Sequence, residues 1–202
     1  ADLSGFDFTN IDLTGVNLTG ANITYVKSGN TTSSPTTTIL PDASHVFLNT
    51  YLLGPKINLS GKDLSGMQLY GLSLSGSIFT GTNFSYADIS GTVIEGSNFT
   101  GATFTRTRSR NIPQPADPLN TPVFTAGTSA GYVVRNGYLI GANVDLSGVN
   151  FADLDLSNTV LTNANLTNAT LTNTRSGGIT FLSTSAPLLP SKYRVIGGYL
   201  HG

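Results

Sequence analysis

The sequence has no cysteine, no tryptophan and few charged residues, which make up only 10% of its 202 residues. Without cysteine there can be no disulfide, no thiol nucleophile and no cysteine-ligated zinc site. Basic and acidic residues nearly balance, and the formal net charge of −1 gives no overall field that would draw the chain to nucleic acid or an anionic membrane. No apolar run approaches the roughly 18 residues that a spanning helix needs, so the sequence predicts no membrane span.

Side chains that carry catalysis or bind metal are also scarce. The two histidines, His45 and His201, do not have the spacing of a metal-ligand pair. The glycines follow a five-residue rhythm and not the spacing of a phosphate-binding loop. We therefore predict no catalytic, metal-binding or cofactor-binding residues, no cofactor, and a function that is not enzymatic.

The most concentrated charge is basic, because Arg106, Arg108 and Arg110 alternate with threonine and serine. Such a string could contact phosphate or a sulfated glycan. Three arginines without interleaved aromatic residues are nevertheless a weak signal for nucleic acid. Nucleic acid is therefore not predicted as a partner.

What the sequence does contain is a five-residue repeat with a large apolar residue at its centre. The centres run from Leu3 to Ile23, from Leu59 to Phe104 and from Leu146 to Leu171, which makes 21 units. Five residues advance a helical position by about 140°, so an α-helix would spread these side chains around its whole circumference. The period excludes a helix and favours short extended segments separated by turns.

The residue two positions after each centre has the chemistry of a sharp corner. It is glycine in 12 of the 21 units and asparagine in 5 more, and these residues best tolerate left-handed dihedral angles. Serine or threonine directly follows the centre in 18 units. The outward positions are thus small and polar, whereas the inward positions are apolar.

Units such as Ala-Asp-Leu-Ser-Gly at residues 1–5 resemble the repeats of the pentapeptide-repeat family. The resemblance implies an all-β fold, namely a right-handed quadrilateral parallel β-helix with four units in each coil. In such a solenoid residues twenty apart stack, so Leu59, Phe79 and Phe99 are expected to form one inner column. Successive coils would lie about 4.8 Å apart.

A longer repeat is superimposed on the short one, because three segments that break the frame close on similar strings. These are Tyr-Leu-Leu-Gly at 51–54, Tyr-Leu-Ile-Gly at 138–141 and Tyr-Leu-His-Gly at 199–202. We predict a single solenoid over residues 1–202. Its pentapeptide blocks are predicted at residues 1–25, 57–106 and 144–173, and its insertions at residues 26–56, 107–143 and 174–202. Each insertion is expected to be a surface loop that returns to add a strand to the solenoid wall; a disordered bulge is the alternative.

Charge divides along the same boundaries. Nine of the ten basic residues lie in or beside the insertions, whereas nine of the eleven acidic residues lie in the pentapeptide blocks. Basic insertions could therefore meet the acidic walls of a neighbouring chain. The alternative is a set of solvated charges on loops, since exposed pairs contribute only about 0–1 kcal/mol.

The two ends of the sequence are in frame with each other. Residues 198–202 read as a unit centred on Leu200, and Leu3 of a following copy would lie five positions on. We expect either copies of this chain joined head to tail in an extracellular or cell-surface filament, or a segment of a longer array; a capped monomer is the alternative. The candidate assembly contacts are Ala1, Leu3, Phe8, Tyr199, Leu200 and Gly202.

Two other functions fit the sequence less well. Some pentapeptide-repeat proteins resemble duplex DNA and act on DNA gyrase, which makes a protein-binding module of that type the alternative function. Such mimicry needs a strongly acidic surface, which a net charge of −1 disfavours. A β-helical enzyme acting on polysaccharide is disfavoured because no carboxylate or histidine cluster is evident.

The first insertion also has the composition of a glycosylated tract. Asn30 begins an Asn-X-Thr sequence in an evident loop, and serine, threonine and proline follow it. A glycan is thus a possible partner. The candidate attachment residues are Asn30, Thr31, Thr32, Thr36, Thr37 and Thr38.

Overall fold

The structure is a computed structural model, which describes residues 1–33, 37–124, 131–182 and 184–202. Within these ranges the regular elements are six strands of three residues each and one turn of 3-10 helix. They are β1 (Val46–Leu48), β2 (Tyr51–Leu53), the 3-10 helix (Pro118–Asn120), β3 (Val133–Arg135), β4 (Tyr138–Ile140), β5 (Arg194–Ile196) and β6 (Tyr199–His201). No helix in the described ranges is long and apolar enough to cross a membrane.

The five-residue units lie outside these strands and pair through single residues. In most units the residue before the centre forms a parallel bridge with the residue twenty positions on, as when Asn58 pairs with Ile78 and Ile78 with Asn98. The amide of Ile78 donates to the carbonyl oxygen of Ile57 at 2.9 Å. Successive runs of four units, here called layers, are therefore hydrogen-bonded parallel neighbours, and the predicted twenty-residue stacking is confirmed.

The unit centres form the core. Phe79 lies parallel to Phe99 with ring centroids 5.0 Å apart, and Phe84 to Phe104 with centroids 5.4 Å apart. Leu59 is fully buried in the same hydrophobic cluster. Stacked rings twenty residues apart combine apolar burial with favourable aromatic geometry, which explains why phenylalanine recurs in neighbouring layers.

The corners adopt the backbone conformation that their residues predict. Gly5 has φ +72° and Asn10 has φ +61°. The carboxylate of Asp7 accepts a hydrogen bond from the amide of Thr9 at 2.9 Å, which is the side-chain closure typical of an Asx turn. Short-range chemistry thus fixes each corner without help from distant parts of the chain.

Each insertion contains an antiparallel hairpin. β1 pairs with β2, β3 with β4, and β5 with β6. Each insertion does return to the wall, but through a single bridging residue, namely Ile39, Val123 and Leu188. The prediction that the apolar stretch itself adds a strand to the wall is wrong, because that stretch pairs with the closing string of its own insertion. The turns at 136–137 and 197–198 have positive φ at both positions, as a type I′ hairpin requires.

The layers on the two sides of an insertion still pair directly. Lys27 bridges Asn58 across the first insertion, and Arg108 bridges Asp145 across the second. The first two hairpins therefore leave the parallel stacking uninterrupted, and the core side chains before and after these two insertions belong to one cluster.

Candidate functional site

Within the described ranges, no group of three or more histidine, aspartate or glutamate side chains could hold a metal ion. His45 is buried, with Nδ1 2.9 Å from a carboxylate oxygen of Asp42, whereas His201 is exposed in β6. The most repeated arrangement is instead the joint, which we define as the place where a hairpin meets the first layer of the next pentapeptide block. The first joint joins β1–β2 to the block that begins at Ile57, and the second joins β3–β4 to the block that begins at Val144.

A serine at the start of each insertion holds the hairpin. Its hydroxyl oxygen accepts a hydrogen bond from the amide of the leucine in the second hairpin strand, so the end of the preceding block is tied to the hairpin backbone. The three bonds run from Leu52 to Ser28 at 2.6 Å, from Leu139 to Ser109 at 2.8 Å and from Leu200 to Ser176 at 3.0 Å. The third hairpin is thus docked as the first two are.

A ring packed on glycine repeats in the same three places. The residue before each hairpin lays its ring against the glycine that closes the insertion, so a Cβ at Gly54 would lie 2.3 Å from His45 and one at Gly141 2.2 Å from Tyr132. Tyr193 occupies the same place above Gly202. Burial raises the pKa of Tyr132 to about 12. A side chain in place of any of these three glycines would clash with the ring packed on it, so close packing requires glycine in the closing string.

The hairpins differ in what covers them. Leu52 and Leu139 are fully buried at the two joints, whereas Leu200 is only half-buried. Tyr199 is 55% exposed, and Ile196 in the partner strand is also exposed. The third hairpin thus presents an uncovered apolar face where the other two meet a following block.

The first layers of the blocks show the complementary difference. In the first layers of the second and third blocks several residues two before a centre are large and buried, as with Met67 and Val149. The corresponding residues of the first block, Phe6 and Ile11, are 57% and 44% exposed. The first block therefore carries large apolar side chains that stay exposed, unlike Met67 and Val149.

Charge at the second joint is paired. The carboxylate of Asp145 lies 3.5 Å from Nε of Arg108 and accepts hydrogen bonds from the Ser147 amide and the Asn165 side chain. Burial alone would raise the pKa of Asp145, but the hydrogen bonds from Ser147 and the charge of Arg108 outweigh it and lower the pKa. Asp145 is therefore ionised at neutral pH.

The six predicted assembly residues lie in two groups. Ala1 and Leu3 belong to the first layer with Phe8, which is largely buried, while Tyr199 and Leu200 lie in β6 with the exposed Gly202 directly after it. No hydrogen bond between described residues joins one group to the other. The prediction that residues 198–202 form a five-residue unit is wrong, because residues 199–201 are the second strand of a hairpin.

Sequence reasoning did not identify four residues of these faces, namely Phe6, Ile11, Ser176 and Ile196. A signal for the first two was present. Large apolar residues stand two before three of the four centres in the first layer of every block, whereas alanine, serine and threonine are typical of that position in later layers. Ser176 could have been found by aligning the three insertions, since the same serine opens each one.

The glycosylation candidates lie in different environments. Asn30 and Thr32 are exposed, whereas Thr31 is buried and its hydroxyl donates to the Phe8 carbonyl oxygen at 3.0 Å. The hydroxyl of Thr38 donates to the carbonyl oxygen of Leu13 at 2.8 Å. Thr37 is exposed, and Thr36 lies outside the described residues. Glycosylation stays a prediction, with Asn30, Thr32 and Thr37 the accessible candidates among the residues described.

Comparison with known proteins gives two family matches. A family model described as pentapeptide repeats matches residues 1–27 and 142–175 with eight copies, and a second model of the same description matches residues 64–108 with nine copies. Together the matches cover more than half of the chain. No curated protein sequence matches it.

Several solved structures are similar over most of the chain. The pentapeptide repeat protein Rfr23 from the cyanobacterium Cyanothece 51142 is 16% identical, with 93% of this chain and 90% of that chain covered and a TM-score of 0.29. HetL from Nostoc sp. strain PCC 7120, involved in heterocyst differentiation regulation, is 18% identical over 97% and 92%, with a TM-score of 0.31. The plasmid-mediated fluoroquinolone resistance protein QnrB1 is 14% identical over 88% and 94%, with a TM-score of 0.35. Similarity of this degree carries no argument about function.

Proposed function

Because the chain belongs to the pentapeptide-repeat family, we propose that it is a non-enzymatic structural protein whose copies join head to tail into a filament. Proteins of this family are generally structural or protein-binding modules. In this proposal the layers wind as a right-handed quadrilateral β-helix, and the last hairpin of one copy meets the first layer of the next. The extracellular or cell-surface location stays a prediction that rests on the uncharged, hydroxyl-rich composition.

The observation that carries the proposal is the pair of uncovered faces. The third hairpin is docked by Ser176 as the others are docked by Ser28 and Ser109, yet its apolar side chains remain exposed. The first block offers Phe6 and Ile11, which correspond to the buried Val149 of the third block and the buried Met67 of the second. A second copy would cover both faces with contacts of a kind that the chain already makes twice.

The backbone supports the same arrangement. Within the described residues, the amide of Asp2 donates to no other backbone group, whereas the equivalent amides at the two joints donate across them, from Asn58 to the Val26 carbonyl oxygen and from Asp145 to that of Thr107. Unpaired strand edges of this kind are templates for another chain. A contact between two different faces repeats without closing and so generates a filament.

The joints within the chain also revise how the copies would meet. The hairpin leucine precedes the first centre of the next block by seven residues, from Leu52 to Leu59 and from Leu139 to Leu146, and not by five. The two additional residues form a corner in which Lys56 and Asn143 have positive φ. The chain therefore does not use a five-residue spacing between hairpin and block at its own joints. The proposal accordingly rests on contacts between the two uncovered faces and not on an in-frame junction of the two sequence ends.

The test is assembly of the purified chain, followed by sedimentation and electron microscopy over a range of concentrations. We expect filaments that lengthen as concentration rises. The double variant F6S/I11S should weaken association at least tenfold, because burial of a large apolar side chain contributes roughly 1.5–3 kcal/mol. Thermal unfolding of the variant establishes that it still folds.

The matched control is Tyr70→Ser, which removes a side chain that is about as exposed as Phe6 but lies on the outside of an interior layer. Tyr70→Ser should assemble as the unaltered chain does. A chain that stays monomeric at high concentration would overturn the proposal. So would an equal loss of association in Tyr70→Ser and F6S/I11S.

A further inference from the structure

A column of charged residues crosses the second joint. Asp88 bridges Arg108, Arg108 bridges Asp145, and Asp145 bridges Asn165. Asp145 is largely buried at the joint and Arg108 is exposed, with the ion pair between them at 3.5 Å. Arg108, which precedes the docking serine, thus lies between a carboxylate of the preceding block and the first bridging residue of the next block.

The first joint repeats this pattern in part. Lys27 precedes Ser28, bridges Asp7 on one side and bridges Asn58 on the other. Its ammonium group lies 3.9 Å from a carboxylate oxygen of Asp7. Asn58 occupies the position at the first joint that Asp145 occupies at the second. The first bridging residue of the following block is therefore polar at both joints but acidic only at the second.

At the third hairpin only the first half of this column is present, namely the carboxylate and the basic residue that bridges it. Arg175 precedes Ser176 and bridges Asp155, and it forms no ion pair with any described residue. Its position relative to the closing glycine equals that of Lys27, because 27 residues separate Lys27 from Gly54 and Arg175 from Gly202. The side of Arg175 that faces away from Asp155 is where a following block would lie.

Asp2 reproduces the other half of the column. Its carboxylate accepts from the Ser4 amide at 3.0 Å and from the Asn22 side chain at 3.0 Å. Asp145 accepts from the Ser147 amide at 3.1 Å and from Asn165 at 3.0 Å. The strings Ala-Asp-Leu-Ser-Gly at 1–5 and Val-Asp-Leu-Ser-Gly at 144–148 correspond residue for residue around this carboxylate. Asp2 therefore has each of these contacts of Asp145 except the arginine.

We infer that Arg175 of one copy pairs with Asp2 of the next, and that this pair sets the register in which copies join. The inference rests on the proposed head-to-tail assembly. Apolar contacts and backbone bonds recur every five residues, so they discriminate poorly between registers shifted by one unit. Asp7 and Asp12 occupy the same place in the next two units, but Asp7 already pairs with Lys27. At both joints within the chain, the basic residue before the docking serine bridges the first unit of the next block. The first unit of a following copy contains Asp2, so Asp2 is the partner that these joints indicate for Arg175.

Charge exchange tests the pair. R175D should assemble poorly, because two carboxylates would then face each other across the joint, and D2R should assemble poorly because two arginines would meet. Each single variant should raise the concentration needed for assembly by about fivefold or more. An equimolar mixture of R175D and D2R should restore assembly, since every joint in an alternating filament then holds one acid and one base.

The matched control replaces D2R by D12R in the mixture. Asp12 is exposed and accepts a backbone hydrogen bond from Thr14 at 2.9 Å, as Asp2 does from Ser4, so both variants lose the same local contact. We expect no rescue of R175D by D12R. Circular dichroism and thermal unfolding of each variant establish that its fold is intact.

The possible outcomes distinguish a failure of the Arg175–Asp2 pair from a failure of head-to-tail assembly itself. Rescue by D12R in place of D2R, or normal assembly of both single variants, would overturn the pair while leaving head-to-tail assembly standing. Failure of the unaltered chain to assemble would overturn both. Rescue by D2R alone supports the pair and its register.

Discussion

At the scale of single residues, the corners are where side-chain identity matters most directly. Glycine and asparagine fill most of the left-handed positions, but Tyr25, Tyr86, Arg106 and Asp153 also occupy them, with φ between 58° and 62°. A side chain with a Cβ is strained in this region by roughly 1–2 kcal/mol. These four corners are therefore less stable than their glycine counterparts in neighbouring units.

We predict that Tyr86→Gly stabilises the protein by about 0.5–1 kcal/mol, because it removes this strain at a side chain that is 67% exposed. Tyr70→Gly is the matched control, since Tyr70 is 65% exposed but has no positive φ. Glycine there should destabilise by about 0.5–1 kcal/mol through its greater backbone entropy. Urea unfolding measures both changes, and a destabilised Tyr86→Gly would contradict the account.

At the scale of elements, the hairpins depend on the block that precedes them. A two-stranded hairpin of three-residue strands is marginal by itself, and each hairpin here is held by a serine hydroxyl and by a ring packed on glycine. The serine is buried at the first two hairpins, whereas Ser176 is half-buried. The same bond should therefore contribute more at a covered hairpin than at an uncovered one.

Ser109→Ala should lower the free energy of unfolding by about 1–3 kcal/mol, because the buried amide of Leu139 loses its acceptor. Ser176→Ala removes the equivalent bond to Leu200, but water can reach that amide in an isolated copy, so a smaller loss is expected. Chemical denaturation of the two variants provides the comparison. Equal losses would show that the covering block does not seal the hairpin.

At the scale of the whole molecule, stability is distributed along a stack in which each layer contacts its neighbours. Carboxylates on the outside of the stack contribute through the turns that they close. Hydrogen bonds from the serine or threonine two residues on lower the pKa of Asp2, Asp7, Asp12, Asp63 and Asp155. Hydrogen bonds from Ser44 and His45 lower the pKa of Asp42 to about 2.

Acid should therefore destabilise the protein. A carboxyl group whose pKa is lower in the folded state stabilises that state above its unfolded pKa, near 3.8, and the contribution is lost as pH falls through the folded value. We expect the free energy of unfolding to fall between about pH 4 and pH 2, as measured by urea titrations at several pH values.

Asparagine at the same position is the natural control, because Asn58 and Asn98 already accept the equivalent bond from Ser60 and Thr100. Asp63→Asn should keep the turn and reduce the acid sensitivity. A protein that is as stable at pH 2.5 as at pH 6 would contradict this prediction.

Much of the fold was predictable because its signal is local. The conformation of each unit is set by its own residues, namely the apolar centre, such as Leu59 or Leu64, and the glycine or asparagine at the corner. The twenty-residue stacking of Phe79 on Phe99 followed only through the family resemblance, since four units to a layer is not written in any single unit. The hairpins were missed in part because strands of three residues give little periodic signal.

The sequence by itself determined the five-residue period, the all-β class and the family, because each depends on contacts between residues close in the chain. Only the tertiary structure decided that Tyr199–His201 is a docked hairpin strand and that Phe6 and Ile11 are left uncovered. It also showed that Asp2 accepts the same two kinds of hydrogen bond as Asp145. These features depend on residues tens of positions apart. The packed stack, and not the five-residue unit that carries an apolar side chain, decides whether that side chain is covered.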